Sequence, residues 1–162
     1  MNPIIQLTDV HKTFQFAQQK VQALAGVNLS INKGQLVGVT GRSGSGKSTL
    51  LHVIGTLDTP SAGSVKLNGK DVSNLSDRDT SSFRNRTIGF VFQMNNLLPE
   101  FSAIENVMMP GLIAGFNRDK LQDRAKFLLE AVDLSKRMEH RPAELSGGMR
   151  KRVGLARSLI LK

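Results

Sequence analysis

The sequence contains no cysteine, no tryptophan and no tyrosine, and it has no long apolar run. The absence of cysteine excludes a disulfide framework and a thiolate metal site. The N-terminal residues MNPIIQLTDV lack the basic segment and the apolar stretch of a secretory signal, and no stretch approaches the ~20 apolar residues of a membrane-spanning helix. We therefore expect any role at a membrane to depend on a partner protein.

Aromatic residues are limited to eight phenylalanines, although the chain carries a formal net charge of +9. A basic chain raises nucleic acid as a partner, but aromatic platforms for stacking bases are few and most of the basic residues are scattered. We therefore expect no nucleic acid partner. With 162 residues, 40% of them hydrophobic, the chain is long enough for one sizeable core and too short for two ordinary domains.

Residues 39–49, VTGRSGSGKST, match the phosphate-binding P-loop pattern G-x-x-x-x-G-K-[ST]. The apolar run QLVGVT (35–40) predicts a short buried strand before the loop, and KSTLLHVIG (47–55) has the apolar spacing of a helix. Glycine lets backbone N–H groups approach phosphates, Lys47 adds an ammonium near the β- and γ-phosphates, and Ser48 supplies a hydroxyl for Mg²⁺. A flexible turn before a helix is the alternative. The predicted nucleotide-binding residues of the loop are Gly41, Arg42, Ser43, Gly44, Ser45, Gly46, Lys47, Ser48 and Thr49.

The remaining pattern predicts a mostly β first third followed by helices. Strands are expected where apolar and polar residues alternate, and helices where apolar residues recur at helical spacing. The predicted strands are 4–14, 27–31, 64–69 and the buried TIGFVF (87–92), and the predicted helices run from Ser76 to near 84–86 and over 102–115, 118–134 and 147–162. Ser102 and Glu105 are expected to form a capping box. The pattern indicates an α/β nucleotide-binding core with a helical insertion.

A second motif, ELSGGMRKR (144–152), places a serine and two glycines at the predicted start of a helix. Such a helix start can cradle phosphate, because Ser146 offers a hydroxyl and the glycines offer unobstructed N–H groups. For the motif alone, an ordinary N-cap with a glycine hinge is the alternative. Together with the P-loop, the motif resembles the LSGGQ signature of the ABC-transporter ATPases. The residues matched to this signature are Leu145, Ser146, Gly147, Gly148 and Met149.

The helix that begins at the signature is amphipathic. Its inward residues are expected to be Met149, Val153, Ala156 and Ile160, and its solvated residues Arg150, Lys151 and Arg152. Met149 stands where the family usually has glutamine. A methionine there also occurs in the branch linked to phospholipid transport, so we interpret it as a variant of the motif.

The resemblance to the ABC-transporter ATPases covers essentially the whole chain and implies binding and hydrolysis of ATP with Mg²⁺. Gln93, directly after TIGFVF, matches the family's Q-loop glutamine, which meets Mg²⁺ and the attacking water; a polar strand end is the alternative. Phe14 lies where the family carries an aromatic residue that stacks on adenine. A core phenylalanine is the alternative there, and Phe16 is the neighbouring candidate. The family also implies a head-to-tail dimer of two copies, in which the signature of one copy acts on the ATP of the other.

The family's Walker B strand with its catalytic glutamate, its D-loop and its switch histidine belong downstream of the signature, and none is found in these 162 residues. The internal FLLEAVD (127–133) has helical spacing and precedes the signature, so Glu130 and Asp133 are expected to be ordinary helix residues. We therefore expect residues 1–162 to be one partial ABC ATP-binding domain that lacks the C-terminal part of the core and does not hydrolyse ATP by itself. Its expected parts are a P-loop core (1–92), a Q-loop and helical subdomain (93–146) and a signature helix (147–162).

Within this family, the segments RNRTIGFVFQ, LLPEFSAIENVMMP and HRPAELSGG most resemble the lipoprotein-releasing branch. That resemblance implies an integral membrane transporter subunit as partner and a peripheral place at the cytoplasmic face of the bacterial inner membrane. ATPases of macrolide export, cell division and phospholipid transport share much of the pattern. The alternatives from other classes are a soluble ABC ATPase acting on nucleic acid or ribosomes, and a nucleotide-binding fragment without hydrolysis.

Overall fold

The computed structural model describes residues 3–17 and 19–162, and of Phe16 it describes only the main chain. The described chain forms two compact units, Met1–Ser81 and Ser82–Lys162. The first contains a sheet and the second is built from helices, which confirms the predicted α/β class. The expected three-part division of the domain stays a prediction.

A four-stranded antiparallel sheet forms most of the first unit, with the strand order β2-β1-β3-β4. The strands are β1 (Ile5–Phe16), β2 (Gln19–Ile31), β3 (Ala62–Leu67) and β4 (Lys70–Asp71). β1 pairs with β2 from Ile5 opposite Ile31 to Phe16 opposite Gln19, and register shifts interrupt this pairing near the middle of β1. All three alternating strands predicted for this region are present. β2 is longer than predicted, because its first half continues the pairing along β1.

The buried side chains of the first unit come from strands β1, β2 and β3, from Val72 and from helix α1 (Lys47–Ile54), which confirms the helix predicted after the P-loop. The hydrophobic ones are Leu7, Val10, Leu24, Val53, Val65, Leu67 and Val72, and Thr56 is also buried. Val65 and Leu67 are two residues apart on β3 and therefore share one face of the sheet. Because α1 contacts β2, the loop that precedes α1 is held close to this strand.

The predicted buried strands at 35–40 and 87–92 are absent. Residues 35–40 have no regular structure, and Thr87 is the last residue of a helix, after which the chain is again irregular. A buried strand needs neighbouring strands for its hydrogen bonds, and in the part of the chain that the structure describes no strand pairs with either segment. Several of their apolar side chains are exposed, among them Leu36 at 101% and Val91 at 55%.

Helices follow the sheet along the chain, and polar N-caps mark their starts. They are α2 (Asp77–Thr87), α3 (Ala103–Ile113), α4 (Arg118–Ala131) and α5 (Gly147–Leu159), with short 3-10 helices at Ser135–Arg137 and Pro142–Glu144. Ser102 and Glu105 make the predicted capping box of α3. Ser76 caps α2 as predicted, its Oγ accepting the N–H of Asp79 at 3.2 Å. None of the helices in the described ranges is long and apolar enough to cross a membrane.

The core of the second unit is contributed by α3, α4 and α5, with Val107 and Leu129 fully buried in it. The predicted inward face of α5 is confirmed, since Val153, Ala156 and Ile160 are buried and Met149 packs partly buried against the same core. Glu130 is exposed on α4 as predicted. Asp133 is not a helix residue, because α4 ends at Ala131 and the chain turns with a φ of 58° at Asp133, which brings Leu134 into the core.

Candidate nucleotide-binding site

The P-loop turns sharply immediately before α1. Gly46 is the N-cap of α1 and has a φ of 86°, in the left-handed region that favours glycine. A Cβ at this position would lie 2.4 Å from the carbonyl oxygen of Ala23 on β2. Both the backbone angle and this close approach require glycine, so the loop and the sheet together determine this residue of the pattern.

The N-terminus of α1 has the chemistry of an anion site. The N-cap residue Gly46 has no side chain, and no side chain among the described residues makes a capping hydrogen bond to the start of α1. The first turn of α1 also contains no acidic residue. The first N–H groups of an α-helix have no partner inside the helix and carry a partial positive charge. Ser48 in this turn is exposed and Thr49 is half-buried. A phosphate group matches this arrangement in charge and in hydrogen-bond acceptors.

Lys47 folds back across the loop. Its Nζ donates hydrogen bonds to the carbonyl oxygens of Gly41, 2.9 Å away, and Arg42, 2.7 Å away. A Cβ on Gly41 would lie 2.8 Å from Ser45 Oγ, so the loop is tightly folded here. The exposed residues of the loop are Gly41, Arg42, Ser43, Gly44 and Ser45. Because charged oxygens accept stronger hydrogen bonds from an ammonium than neutral carbonyls do, a bound phosphate would compete for Lys47.

Phe14 lies on β1, in the same unit as the P-loop, and its ring is partly buried. Lys12 Nζ lies 5.0 Å from the ring centroid, in a cation–π contact. Lys12 is held there by an ion pair with Asp58. The role of Phe14 in stacking on adenine stays a prediction, and the side chain of the neighbouring candidate, Phe16, lies outside the described part of the chain.

Gln93 lies in the second unit, in an irregular loop rather than at the predicted strand end, and its side chain is exposed. The loop is held through its backbone. Arg157 Nη1 donates to the carbonyl oxygen of Asn96 at 2.8 Å, and Nη2 donates to that of Asn95 at 3.0 Å. Burial lowers the pKa of Arg157, because desolvation disfavours the charged guanidinium. The side-chain amide of Gln93 is therefore exposed, while the backbone two residues further on, at Asn95, is held by Arg157.

The signature motif forms the beginning of α5. Ser146 is the N-cap, and its Oγ accepts a hydrogen bond from the N–H of Met149 at 3.3 Å. Gly147 and Gly148 are exposed, and no described atom outside the helix start lies within 4 Å of a Cβ built on either glycine. Leu145, by contrast, is buried. The motif thus combines an exposed helix start, at Gly147 and Gly148, with the buried side chain of Leu145 that packs in the core.

Two of the basic residues after the signature are not simply solvated, contrary to the prediction. Arg150 Nη1 donates to the carbonyl oxygens of Pro142 at 3.3 Å and Leu145 at 3.2 Å. Arg152 Nη1 donates to the carbonyl oxygen of Val132 at 2.8 Å. Long cationic side chains can lie along the surface and reach such carbonyls. These contacts tie α5 to the segment before it and to the end of α4.

Arg157 and Asn106 were not among the predicted site residues, yet both fix the backbone beyond Gln93. Asn106 is fully buried on α3. Its Oδ1 accepts the N–H of Leu98 at 2.8 Å, and its Nδ2 donates to the carbonyl oxygens of Leu98 and Phe101 at 3.0 and 2.9 Å. A polar residue inside the apolar stretch of α3 was the available signal, because buried amides need hydrogen-bond partners. Arg157 offered no comparable signal.

The ABC transporter family matches residues 24–162. The chain therefore belongs to the ABC transporter family. Among its relatives are the lipoprotein-releasing system ATP-binding proteins LolD of Saccharophagus degradans and Geobacter metallireducens. The first is 51% identical over 98% of this chain and 69% of its own length, and the second is 48% identical over 99% of this chain and 72% of its own.

Solved structures agree with this assignment. A dimeric structure of MJ0796, a bacterial ABC transporter cassette, matches with a TM-score of 0.90 and 38% identity, covering 97% of this chain and 69% of that one. A dimeric post-hydrolysis state of the same cassette, bound to ADP and Pi, matches with a TM-score of 0.90 and 37% identity over the same shares. The predicted ABC ATPase fold is confirmed.

Proposed function

We propose that the protein carrying this sequence is the ATP-hydrolysing subunit of a bacterial ABC transporter that releases lipoproteins from the inner membrane. The support is the 48–51% identity with LolD proteins over 98–99% of the chain. The proposal includes an integral membrane subunit as partner and a peripheral position at the cytoplasmic face of the inner membrane. Hydrolysis by this subunit would supply the free energy for extracting a lipid-anchored protein from the bilayer.

In this proposal the phosphates of ATP bind at the start of α1. The observation that carries it is the N-terminus of α1, which has no side-chain cap because its N-cap residue is Gly46. The free N–H groups and the partial positive charge of this helix end fit a phosphate. The backbone of residues 41–46 surrounds the phosphate chain, and Lys47 Nζ exchanges its two carbonyl acceptors for β- and γ-phosphate oxygens. Phe14 is the proposed partner of the adenine ring.

Ser48 and Gln93 are the residues proposed to hold Mg²⁺ with the nucleotide. Both residues are exposed and carry a side-chain oxygen, and oxygen is the ligand type that Mg²⁺ prefers. The ion, when bound, neutralises the charge on the β- and γ-phosphate oxygens. Gln93 is also proposed to orient the attacking water through its side-chain amide.

We further propose that the signature of one copy contacts the ATP in the P-loop of a second copy. Gly147 and Gly148 are the first two residues of α5, and no described neighbour of either would obstruct a Cβ. The absence of a side chain at these positions is therefore not required by contacts within the described chain. It is suited to the close approach of another molecule. The similar MJ0796 cassettes are described as dimeric.

The substitution Ser146→Arg tests this arrangement. We expect it to leave ATP binding by a single copy intact and to block ATP-dependent dimer formation, because a long cation would fill the contact. The measurements are nucleotide affinity and the molar mass in solution with and without ATP. Ser135→Arg, the same change at another exposed serine, is the matched control and should dimerise normally. An equal loss of ATP binding in single copies of Ser146→Arg would show that Ser146 does not act in trans.

Lipoprotein release is tested by reconstitution. The protein is incorporated with its co-purified membrane subunit into vesicles that contain a lipid-modified protein, and MgATP-dependent release to a soluble acceptor is measured. Lys47→Ala should abolish release, since the point charge at the phosphates is lost. ATP turnover that moves a macrolide or a labelled phospholipid, but no lipoprotein, would replace this substrate assignment by one of the related transporters.

A further inference from the structure

The segment between α2 and Asn96 lies along the second half of α5. Lys162 Nζ, just beyond α5, donates to the carbonyl oxygen of Thr87 at 2.6 Å. Gly89 approaches the helix so closely that a Cβ would lie 2.2 Å from the carbonyl oxygen of Ser158. These two contacts place the main chain that leads to Gln93 directly beside α5.

Arg157 completes this set of contacts at the loop that contains Gln93. Its two terminal nitrogens donate to the consecutive carbonyl oxygens of Asn95 and Asn96, at 3.0 and 2.8 Å. The planar guanidinium has its donors in a fixed fork, so it can hold two adjacent carbonyls at once, whereas a lysine ammonium is a flexible point charge. Because Arg157 is half-buried, water replaces these bonds less readily than it would at the open surface.

The other side of the loop is fixed by a different helix. Asn106 on α3 pairs with both the N–H and the carbonyl oxygen of Leu98, at 2.8 and 3.0 Å. Asn96 and Leu98 are two residues apart, so α5 and α3 each hold one end of the same short piece of backbone. A displacement of α5 relative to α3 would therefore change the shape of the loop between them.

The same helix α5 begins at the signature. Ser146 is its N-cap and Arg157 lies eleven residues further on, which corresponds to ~16 Å along a helix axis. Over that length α5 has no proline and its backbone is α-helical without interruption. A contact made at Ser146 can thus be transmitted along one rigid element to the carbonyls of Asn95 and Asn96.

We propose that Arg157 is a positioning residue that couples the signature end of α5 to the loop carrying Gln93. This inference rests on the proposed function, in which Gln93 orients the attacking water and Ser146 contacts a second copy. The proposed role of Arg157 involves no contact with the nucleotide or the attacking water. It fixes the backbone at Asn95 and Asn96. In this way it determines how often the side-chain amide of Gln93 is placed to orient the attacking water when the signature contacts a second copy.

The test compares Arg157→Ala and Arg157→Lys with Arg152→Ala in the whole protein assembled with its membrane subunit. Arg152 is the matched control, because it also donates from α5 to one main-chain carbonyl, that of Val132, away from the Gln93 loop. We expect Arg157→Ala to lower kcat for ATP about tenfold or more with KM for ATP changed by less than about twofold. Arg157→Lys should recover part of the loss, and Arg152→Ala should retain the wild-type kcat.

Backbone hydrogen exchange of the same variants gives a second readout that does not depend on turnover. Arg157→Ala should speed exchange in residues 93–98 and leave the core of α3 and α4 protected. An unchanged kcat, equal losses in Arg157→Ala and Arg152→Ala, or a rise in KM equal to the fall in kcat/KM would overturn the coupling role. If the alanine variant does not fold, Arg157→Lys decides by the same criteria. A wild-type protein without ATP turnover would refute the proposed function instead, and local exchange would still show whether Arg157 fixes the loop.

Discussion

Replacement of Gly46 by alanine tests whether the P-loop depends on its contact with β2. At a φ of 86° an L-residue is strained by roughly 1–2 kcal/mol. The added Cβ would also lie 2.4 Å from the Ala23 carbonyl oxygen, so either the loop or the strand must move. We expect the loop to move, because β2 is held by its pairing with β1 whereas residues 41–45 are exposed. Loss of one charge-assisted phosphate contact, worth about 1.5–3 kcal/mol, would raise the Kd for ATP by roughly 10- to 150-fold.

Gly69→Ala provides the matched control for Gly46→Ala. Gly69 has a φ of 76°, and in the described chain no atom would lie within 4 Å of its Cβ. This variant therefore carries the backbone strain without the steric contact, at the turn between β3 and β4. We expect a fall in Tm of about 2–4 °C per kcal/mol of strain and an unchanged Kd for ATP, measured by thermal unfolding and by titration calorimetry. ATP binding by Gly46→Ala at the wild-type Kd, or an equally raised Kd in Gly69→Ala, would refute the reasoning.

Two further variants probe the second unit. Gly154 lies in α5, and no described atom would come within 4 Å of its Cβ. Gly154→Ala should therefore stabilise the protein by about 0.5–1 kcal/mol through helix propensity. The measurement is Tm, which should rise, and a lower Tm would contradict the prediction. Asn106→Ala should cost about 2–4 kcal/mol in urea unfolding, because it unpairs main-chain groups of Leu98 and Phe101 and leaves a cavity. Asn85→Ala, which removes a single bond to the carbonyl oxygen of Pro110, should cost less, and equal losses would argue against the network.

The helix starts could be predicted from the sequence because their signals are local. Ser76, Ser102 and Ser146 each cap a helix at the predicted residue, and each cap bond reaches only three residues along the chain. The alternating strands of the first unit were predicted for a similar reason, since the period of two follows from the pleat of the strand itself. These elements are therefore specified by contacts between residues that are close in the sequence.

The strands predicted at 35–40 and 87–92 are absent from the structure, because a strand does not depend on local signals alone. Apolar runs such as QLVGVT and TIGFVF indicate segments suited to burial, but a strand exists only when a neighbour accepts its hydrogen bonds. The described chain offers neither segment such a neighbour. The contacts of Arg157 escaped prediction for a related reason, because their acceptors are main-chain oxygens 61 and 62 residues away and main-chain groups have no sequence pattern.

The glycines of the two motifs are present for different reasons, and the difference bears on function. Gly46 is required by the chain itself, through its backbone angle and its contact with Ala23. Gly147 and Gly148 have ordinary backbone angles, lie at the surface and have room for a Cβ among the described residues. No described contact requires glycine at these two positions, so the packing of α5 does not explain them. These observations support the proposal that a second copy approaches the glycines closely, with the helix start at Ser146 offering unobstructed N–H groups to its nucleotide.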